Sequence, residues 1–303
     1  MRLSLRYVTR FGYTNPVWES HNALRACPRP GPRQRVLSYT LSTDPAATVY
    51  SYEDRWGTRV DTFGIREPHS ELLVVAESEV ETAPPPEPTG APLSELESDR
   101  YREEAWIFLQ PTRHTRWSSE VEDSARGAMS GTADVIEAIL AIDRMVHDGV
   151  EYRQGATEVG VDVNSIWSAG AGVCQDFAHL TVAMLRSVGI GARYVSGYFY
   201  ASDPTRVDVA ERGEVVVATH AWVEAAIPGR GWWGIDPTNV LPVGERHVEI
   251  GHGRDYDDVT PLRGVYFGDT EHHLAAEVAM STGPITHRAM PTLEAHVQVA
   301  AQQ

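Results

Sequence analysis

The 303-residue chain has two cysteines, Cys27 and Cys174, and the second lies in the stretch GVCQDFAHL (172–180), behind a glycine and ahead of an apolar helical pattern. A thiol in the first turn of a helix sits where unpaired backbone N–H groups and the helix dipole favour negative charge, which suits a thiolate nucleophile. The same N–H groups can hold an oxyanion. On its own the segment fits a small buried apolar residue equally well, the usual role of a free cysteine. Partners decide between the two. A thiol nucleophile needs an imidazole to move protons and a carboxylate to fix the imidazole. THAWVE (219–224) supplies His220, and strand alternation puts His220, Trp222 and Glu224 on one face. GWWGIDPT (231–238) supplies Asp236 on a face with Trp232 and Gly234, where the missing side chain of Gly234 leaves room for an imidazole. Asp236 before Pro237 could equally be a turn former. A Cys, His, Asp order on helix start, strand and adjacent strand nevertheless points to nucleophilic catalysis. Asp176 is expected to lie around the helix from the sulfur, and Gly172 to permit close backbone approach.

The elements that must hold these residues are legible in part. Residues 1–82 read as strands and turns: LSLRYVT (3–9), RVLSYTL (35–41) and TVYSY (48–52) alternate, and ELLVVA (71–76) is a short apolar run. The proline-rich APPPEPTGAP (83–92) interrupts any regular element and marks a boundary. The expected organisation is a β-rich N-terminal domain over 1–82, a linker over 83–100 and a second domain over 101–303. In the latter, EAWIFLQ (104–110) is closed by Pro111, and residues 130–147 place Val135, Ile136, Ile139, Ile142 and Val146 at helical spacing. A second, buried helix runs from Cys174 to about Val188 with Gly189 as its stop. Strands follow over 192–200, 214–226 and 230–236. TLEAHVQVA (292–300) alternates like a strand that could return to the N-terminal sheet.

Composition narrows the function. The net charge is −16, from 26 basic and 42 acidic residues, which argues against nucleic acid or an anionic membrane as partner. No apolar run approaches the roughly 18 residues of a membrane span, and MRLSLRYVTR does not read as a signal peptide, so the expected location is cytoplasmic. Two cysteines make no disulfide framework. All 26 basic residues are arginine. A GC-rich genome is the plain explanation; an enzyme that modifies lysine amines would also gain by lacking them.

Asp255, Asp257 and Asp258 with His247 and His252 could suggest a metal site, but the spacing matches neither a calcium loop nor HExxH, and a solvated acidic loop is expected. Glu271, His272 and His273 read the same way, so no metal and no cofactor is expected. Arg254 and Tyr256 would line the cleft if their loop folds over the site. Trp222, Trp232 and Trp233 are expected in the core and cleft wall, where a tryptophan beside His220 would exclude water.

GVCQDFAHL, followed by RSVGIGARYVSGYF (186–199), HAWVE (220–224) and GWWGIDPTN (231–239), closely resembles the transglutaminase-like superfamily, specifically a bacterial branch described as cysteine proteases. The β-rich start resembles the N-terminal domain of that branch, and HGRDYDDVTPLRG (252–264) resembles a segment common downstream of its aspartate. The resemblance implies an α+β fold: a β-sandwich-like N-terminal domain, then a papain-like core in which a cysteine-bearing helix packs on an antiparallel sheet carrying the histidine and aspartate. It implies Cys174 as nucleophile, His220 as general base and acid, and Asp236 as orienter. The Cys174 amide would be the first oxyanion donor, with Tyr152, Trp167 or Gln175 as the second. Gly191 departs from the proline often found in this branch, which would loosen a turn. The expected substrate is a peptide or protein amide, hydrolysed through a thioester or passed to a primary amine. A catalytically inactive binding module is the alternative of another class. An acyl-CoA-dependent acetyltransferase uses a similar triad, but the sequence around each member fits it less well.

Overall fold

The structure, a computed structural model, describes residues 1–157, 160–201, 214–217 and 219–283. Residues 1–82 form six strands: β1 (Arg2–Val17), β2 (Glu19–Leu24), β3 (Gln34–Asp44), β4 (Tyr50–Glu53), β5 (Arg59–Ile65) and β6 (His69–Thr82). They divide between two antiparallel sheets, one containing β1, β6 and β3 and the other β2, β5 and β4. Alternation explains the packing: Leu3, Leu5 and Tyr7 of β1 and Leu72, Val74, Ala76 and Val80 of β6 share one buried cluster.

After a 3₁₀ turn at Leu93–Glu97 come α1 (Asp99–Glu104), α2 (Trp106–Leu109), α3 (Ser119–Ala128), α4 (Val135–Gly149), β7 (Glu151–Tyr152), α5 (Val163–Ala169), β8 (Ala171–Gly172) and α6 (Cys174–Ser187). The chain continues through β9 (Ala192–Phe199), β10 (Glu214–Val217), β11 (Thr219–Ile227), β12 (Gly231–Asp236), β13 (Leu241–Pro242), β14 (His247–Gly253), α7 (Tyr256–Val259), β15 (Leu262–Phe267) and β16 (His272–Ser281). The central antiparallel sheet has the order β13-β12-β11-β9-β14. Among the described residues, no helix is long and apolar enough to cross a membrane.

α6 is the buried helix of the second core. Phe177, Leu180, Met184 and Leu185 are inaccessible or nearly so, and they pack with Ile139 and Ile142 of α4, Ile166 of α5, and Ala221, Val223 and Ala225 of β11. The β11 residues with small side chains face the helix, which lets it approach the sheet closely. The opposite face of the central sheet meets the N-terminal domain, because Tyr198 of β9 and Val248 and Ile250 of β14 belong to the N-terminal cluster. Gln34 fixes this contact: its side chain donates to the Glu249 carbonyl at 2.7 Å and accepts from the Glu249 N–H at 2.9 Å. Pairing a primary amide with both backbone groups of one residue satisfies β14 where its register shifts between Glu249 and Gly251.

Two expectations change, and a third falls outside the described residues. The strand expected over 214–226 divides: β10 joins β16 in the N-terminal sheet, while β11 lies between β9 and β12. The segments that join the N-terminal sheets after the central core are β15, on β2, and β16, on β1; residues 292–300 lie outside the described residues. Gly191 does not loosen its turn. Its N–H donates to the buried Tyr101 hydroxyl at 2.8 Å, a bond that proline could not make.

Candidate active site

Cys174 is the first residue of α6 and is partly exposed. Val173, at the N-cap, has no side-chain acceptor, so Asp176 turns back and accepts the Val173 N–H at 2.8 Å while also accepting the Thr157 hydroxyl. Burial pushes the Asp176 carboxyl up, and these two donors pull it back. A Cβ on Gly172 would come within 2.8 Å of the Asp176 Cβ. The glycine is therefore the space that this cap occupies. With Val173 capped, the first-turn N–H groups nearest the sulfur are those of Cys174 and Gln175, facing outward as helix starts do.

β11 carries His220 to the cysteine. Its Nε2 donates to Asp236 Oδ2 at 2.8 Å, which leaves Nδ1 as the ring nitrogen available to the sulfur, and Cys174 is close enough to help raise the imidazole. The thiol also lies 3.9 Å from the Thr219 carbonyl. Asp236 ends β12 and is wholly inaccessible. Three donors reach its Oδ2: His220, His247 Nε2 at 3.1 Å and Asn239 Nδ2 at 2.7 Å. Its Oδ1 accepts the N–H groups of Thr238 and Asn239 at 3.1 and 3.3 Å. Burial alone would push this carboxyl up, but the two imidazoles outweigh it and hold it well below the usual carboxylate range. The same balance acts on His220: burial pulls it down, the Asp236 charge and hydrogen bond push it up more strongly, and it is raised to about 10. The imidazolium is thus favoured beside the sulfur. Nearby, burial and the Asp236 charge push Asp143 of α4 up to about 7.

The remaining expected site residues distribute unevenly. Tyr152 is about half exposed and pairs with Gly172 across β7 and β8, beside the start of α6. Gln175 is partly exposed one residue past the cysteine. Trp167 belongs elsewhere: its ring fills the space left by Gly149, where a Cβ would meet it at 2.6 Å. Trp222 is not a cleft wall. It is 1% exposed behind His220, forms a small cluster with Val195 and Val243, and presses on Gly197, where a Cβ would lie 2.4 Å from its ring. Gly234 likewise makes room for Val243, 2.7 Å from a Cβ there, and not for an imidazole. Tyr256 is partly buried with its ring edge-on to Tyr194, 6.4 Å between centroids.

The acidic loop is not a solvated turn. Asp255 is 4% exposed and caps α7 by accepting the Asp257 N–H at 3.0 Å, while Asp258 takes two bonds from the Arg254 guanidinium at 2.9 and 3.0 Å and one from its backbone N–H at 2.9 Å. Asp257 lies 3.2 Å from His114 and 3.7 Å from Arg263. His252 bridges Glu249 at 2.9 Å and Arg193 at 3.0 Å, and His272 bonds the Tyr266 hydroxyl at 3.1 Å. His273 lies against Gly12.

Two residues that touch the candidate site escaped the sequence reading. Asn239 was legible in principle, since an Asp followed by Pro and by Asn three residues on is a turn in which the Asp side chain caps the next N–H groups. His247 carries no such local signal, because it reaches Asp236 only through the fold of β13 and β14.

Comparison with known proteins agrees with this architecture. The profile of the transglutaminase-like superfamily matches residues 122–237, and that of the bacterial transglutaminase-like N-terminal region matches residues 3–81. An uncharacterised protein of Mycobacterium leprae is 37% identical over 272 residues, 88% of this chain and 94% of that one. A protein of Mycobacterium tuberculosis is 33% identical over 286 residues, 89% of each chain. A protein-glutamine gamma-glutamyltransferase of Pseudomonas aeruginosa is 27% identical over 195 residues, 62% of this chain but 26% of that protein. The crystal structure of a candidate cysteine protease from Cytophaga hutchinsonii superposes with a TM-score of 0.72 at 23% identity, covering 96% of this chain and 94% of that one. With both profiles matched in order and relatives aligned over nearly their whole length, the chain belongs to the transglutaminase-like superfamily.

Proposed function

We propose that the protein is a thiol-dependent enzyme that opens amide bonds of peptidic substrates, with Cys174 as nucleophile, His220 as general acid and base, and Asp236 as the residue that orients His220. The observation that carries this reading is a thiol at the first residue of a helix with His220 beside it, and the His220 Nε2 held by the buried Asp236 at 2.8 Å. In the first half-reaction the thiolate attacks the amide carbonyl carbon and forms the C–S bond. The oxyanion is held by the Cys174 amide at the helix start, with either Gln175 or Tyr152 as the further donor. The C–N bond then breaks, and the amine leaves with the His220 proton. In the second, water gives its proton to His220, its oxygen adds to the thioester carbonyl, and the thiolate departs as the carboxylic acid forms.

The partly exposed thiol and the half-exposed Tyr152 leave the thioester open to water, which supports hydrolysis. A second reading, transfer of the acyl group to a primary amine, is favoured by the relative named as a gamma-glutamyltransferase and by a chain with no lysine to modify on itself.

Intact-protein mass spectrometry of wild type and Cys174→Ala, incubated with glutamine-containing and other amide peptides with and without cadaverine, tests the proposal. An acyl adduct present only in wild type is expected, and the product mass distinguishes water from amine as acceptor. Identical spectra, together with iodoacetamide labelling of Cys174 at the rate of an ordinary thiol, would overturn the enzyme reading in favour of a binding module.

A further inference from the structure

Asp236 serves two imidazoles, and only one of them faces the sulfur. His247, the first residue of β14, is 1% exposed, and its Nε2 lies 3.1 Å from the same Oδ2 that His220 reaches. Its other nitrogen settles the proton's position. Nδ1 lies 3.1 Å from the Gly244 backbone N–H, which can only donate. Nδ1 must therefore accept, and the ring proton must be on Nε2, pointing at the carboxylate. A second proton on Nδ1 would face the Gly244 donor directly and would place a buried cation one ring from the His220 imidazolium, with 6.3 Å between centroids.

We propose that His247 is a positioning residue for the Asp236–His220 pair, a permanently neutral Nε2–H donor that fixes the carboxylate and leaves the positive charge to His220. This inference rests on the reading of the site given above.

The surroundings of His247 are built for that role. Its ring packs against Phe199 of β9 at 4.6 Å and edge-on to Trp222 of β11 at 5.2 Å, so apolar surface meets it on both strands. The charged or titratable groups that act on it are Asp236, His220 and Arg33. Burial pushes it down first; Asp236 opposes this, while His220 and Arg33 add to it, and the net direction is downward. The N-terminal domain holds the strand in place: the Thr82 hydroxyl donates to the Glu245 carbonyl just before β14, and Gln34 pairs with Glu249 within it. His247 is thus fixed from the first domain while it acts on the second. This gives the N-terminal domain a part in ordering the site.

The test is nitrogen-15 NMR of histidine-labelled full-length protein. In the wild type, His247 is expected to keep the neutral Nε2–H tautomer across about pH 5 to 9, the range in which an ordinary imidazole titrates. A His247 that protonates in that range, or carries its proton on Nδ1, overturns the proposal without any variant being made. His247→Leu removes the donor and keeps an apolar side chain, so Asp236 offers more of its charge to His220. The His220 midpoint is then expected to rise by about one pH unit, and His247→Gln, which supplies an N–H in place of Nε2, to bring it back. An unchanged midpoint in a folded His247→Leu also overturns the proposal. Iodoacetamide labelling of wild-type Cys174 tests the parent reading separately: ordinary-thiol behaviour removes the catalytic site, whereas activated behaviour with a titrating His247 removes this inference alone.

Discussion

Asp236→Asn isolates the charge at the centre of the candidate site while keeping its shape. Asn retains Oδ1 as acceptor for the Thr238 and Asn239 N–H groups, but its amide nitrogen replaces the oxygen that receives His220, His247 and Asn239. Donors then face donors in a wholly buried position. Breaking a buried pair by neutralising one member costs roughly 3–5 kcal/mol. The pH dependence is the sharper expectation. Burial lowers His220, but Asp236 chiefly, with Cys174 adding to it, raises it from 6.5 to about 10, so the pair's contribution is complete below about pH 6.5 and is lost as pH climbs through about 10. Asp236 is depressed, so its contribution is present above its ordinary value near 3.8 and is lost as pH falls. The deficit of the variant should be greatest between about pH 4 and 6.5 and should shrink from pH 6.5 to 10, by at most on the order of 5 kcal/mol. Urea unfolding of both proteins at intervals across that range measures it. A deficit that stays constant from pH 6 to 10 would refute the idea that Asp236 holds the His220 proton.

Two further outcomes test the scaffold. Gly191→Pro removes the N–H that serves the buried Tyr101 hydroxyl and brings a Cβ within 3.0 Å of the Ala105 Cβ, so it should cost about 1–3 kcal/mol by urea unfolding, although proline is the residue expected there from related sequences. Val240 is a β-branched residue at φ 52° in the turn after Asp236 and is about one-third exposed. Val240→Asn should relieve left-handed strain and stabilise the protein by about 1 kcal/mol in thermal or urea unfolding, leaving the Cys174 labelling rate unchanged.

Sequence alone determined those features whose physics is local. A cysteine between a glycine and an apolar helical repeat announced the start of α6. Alternation identified β11 and the side of it that carries His220, and Asp236 followed from the adjacent strand. The apolar face of α4 and the β-only character of residues 1–82 were equally plain, because helix and strand periods depend only on neighbours along the chain. What the tertiary structure decided were contacts between segments far apart in sequence. Nothing near Gly234 or Gly197 announces that Val243 or Trp222 occupies the missing Cβ space. The acidic residues of α7 looked solvated because their partners, His114 and Arg263 among them, lie in other segments or become partners only when the helix is capped. His247 stood out in the sequence only as part of a poorly spaced metal-like cluster until β14 was laid beside β9, since a buried imidazole acquires its role from whichever carboxylate the fold brings within hydrogen-bond reach.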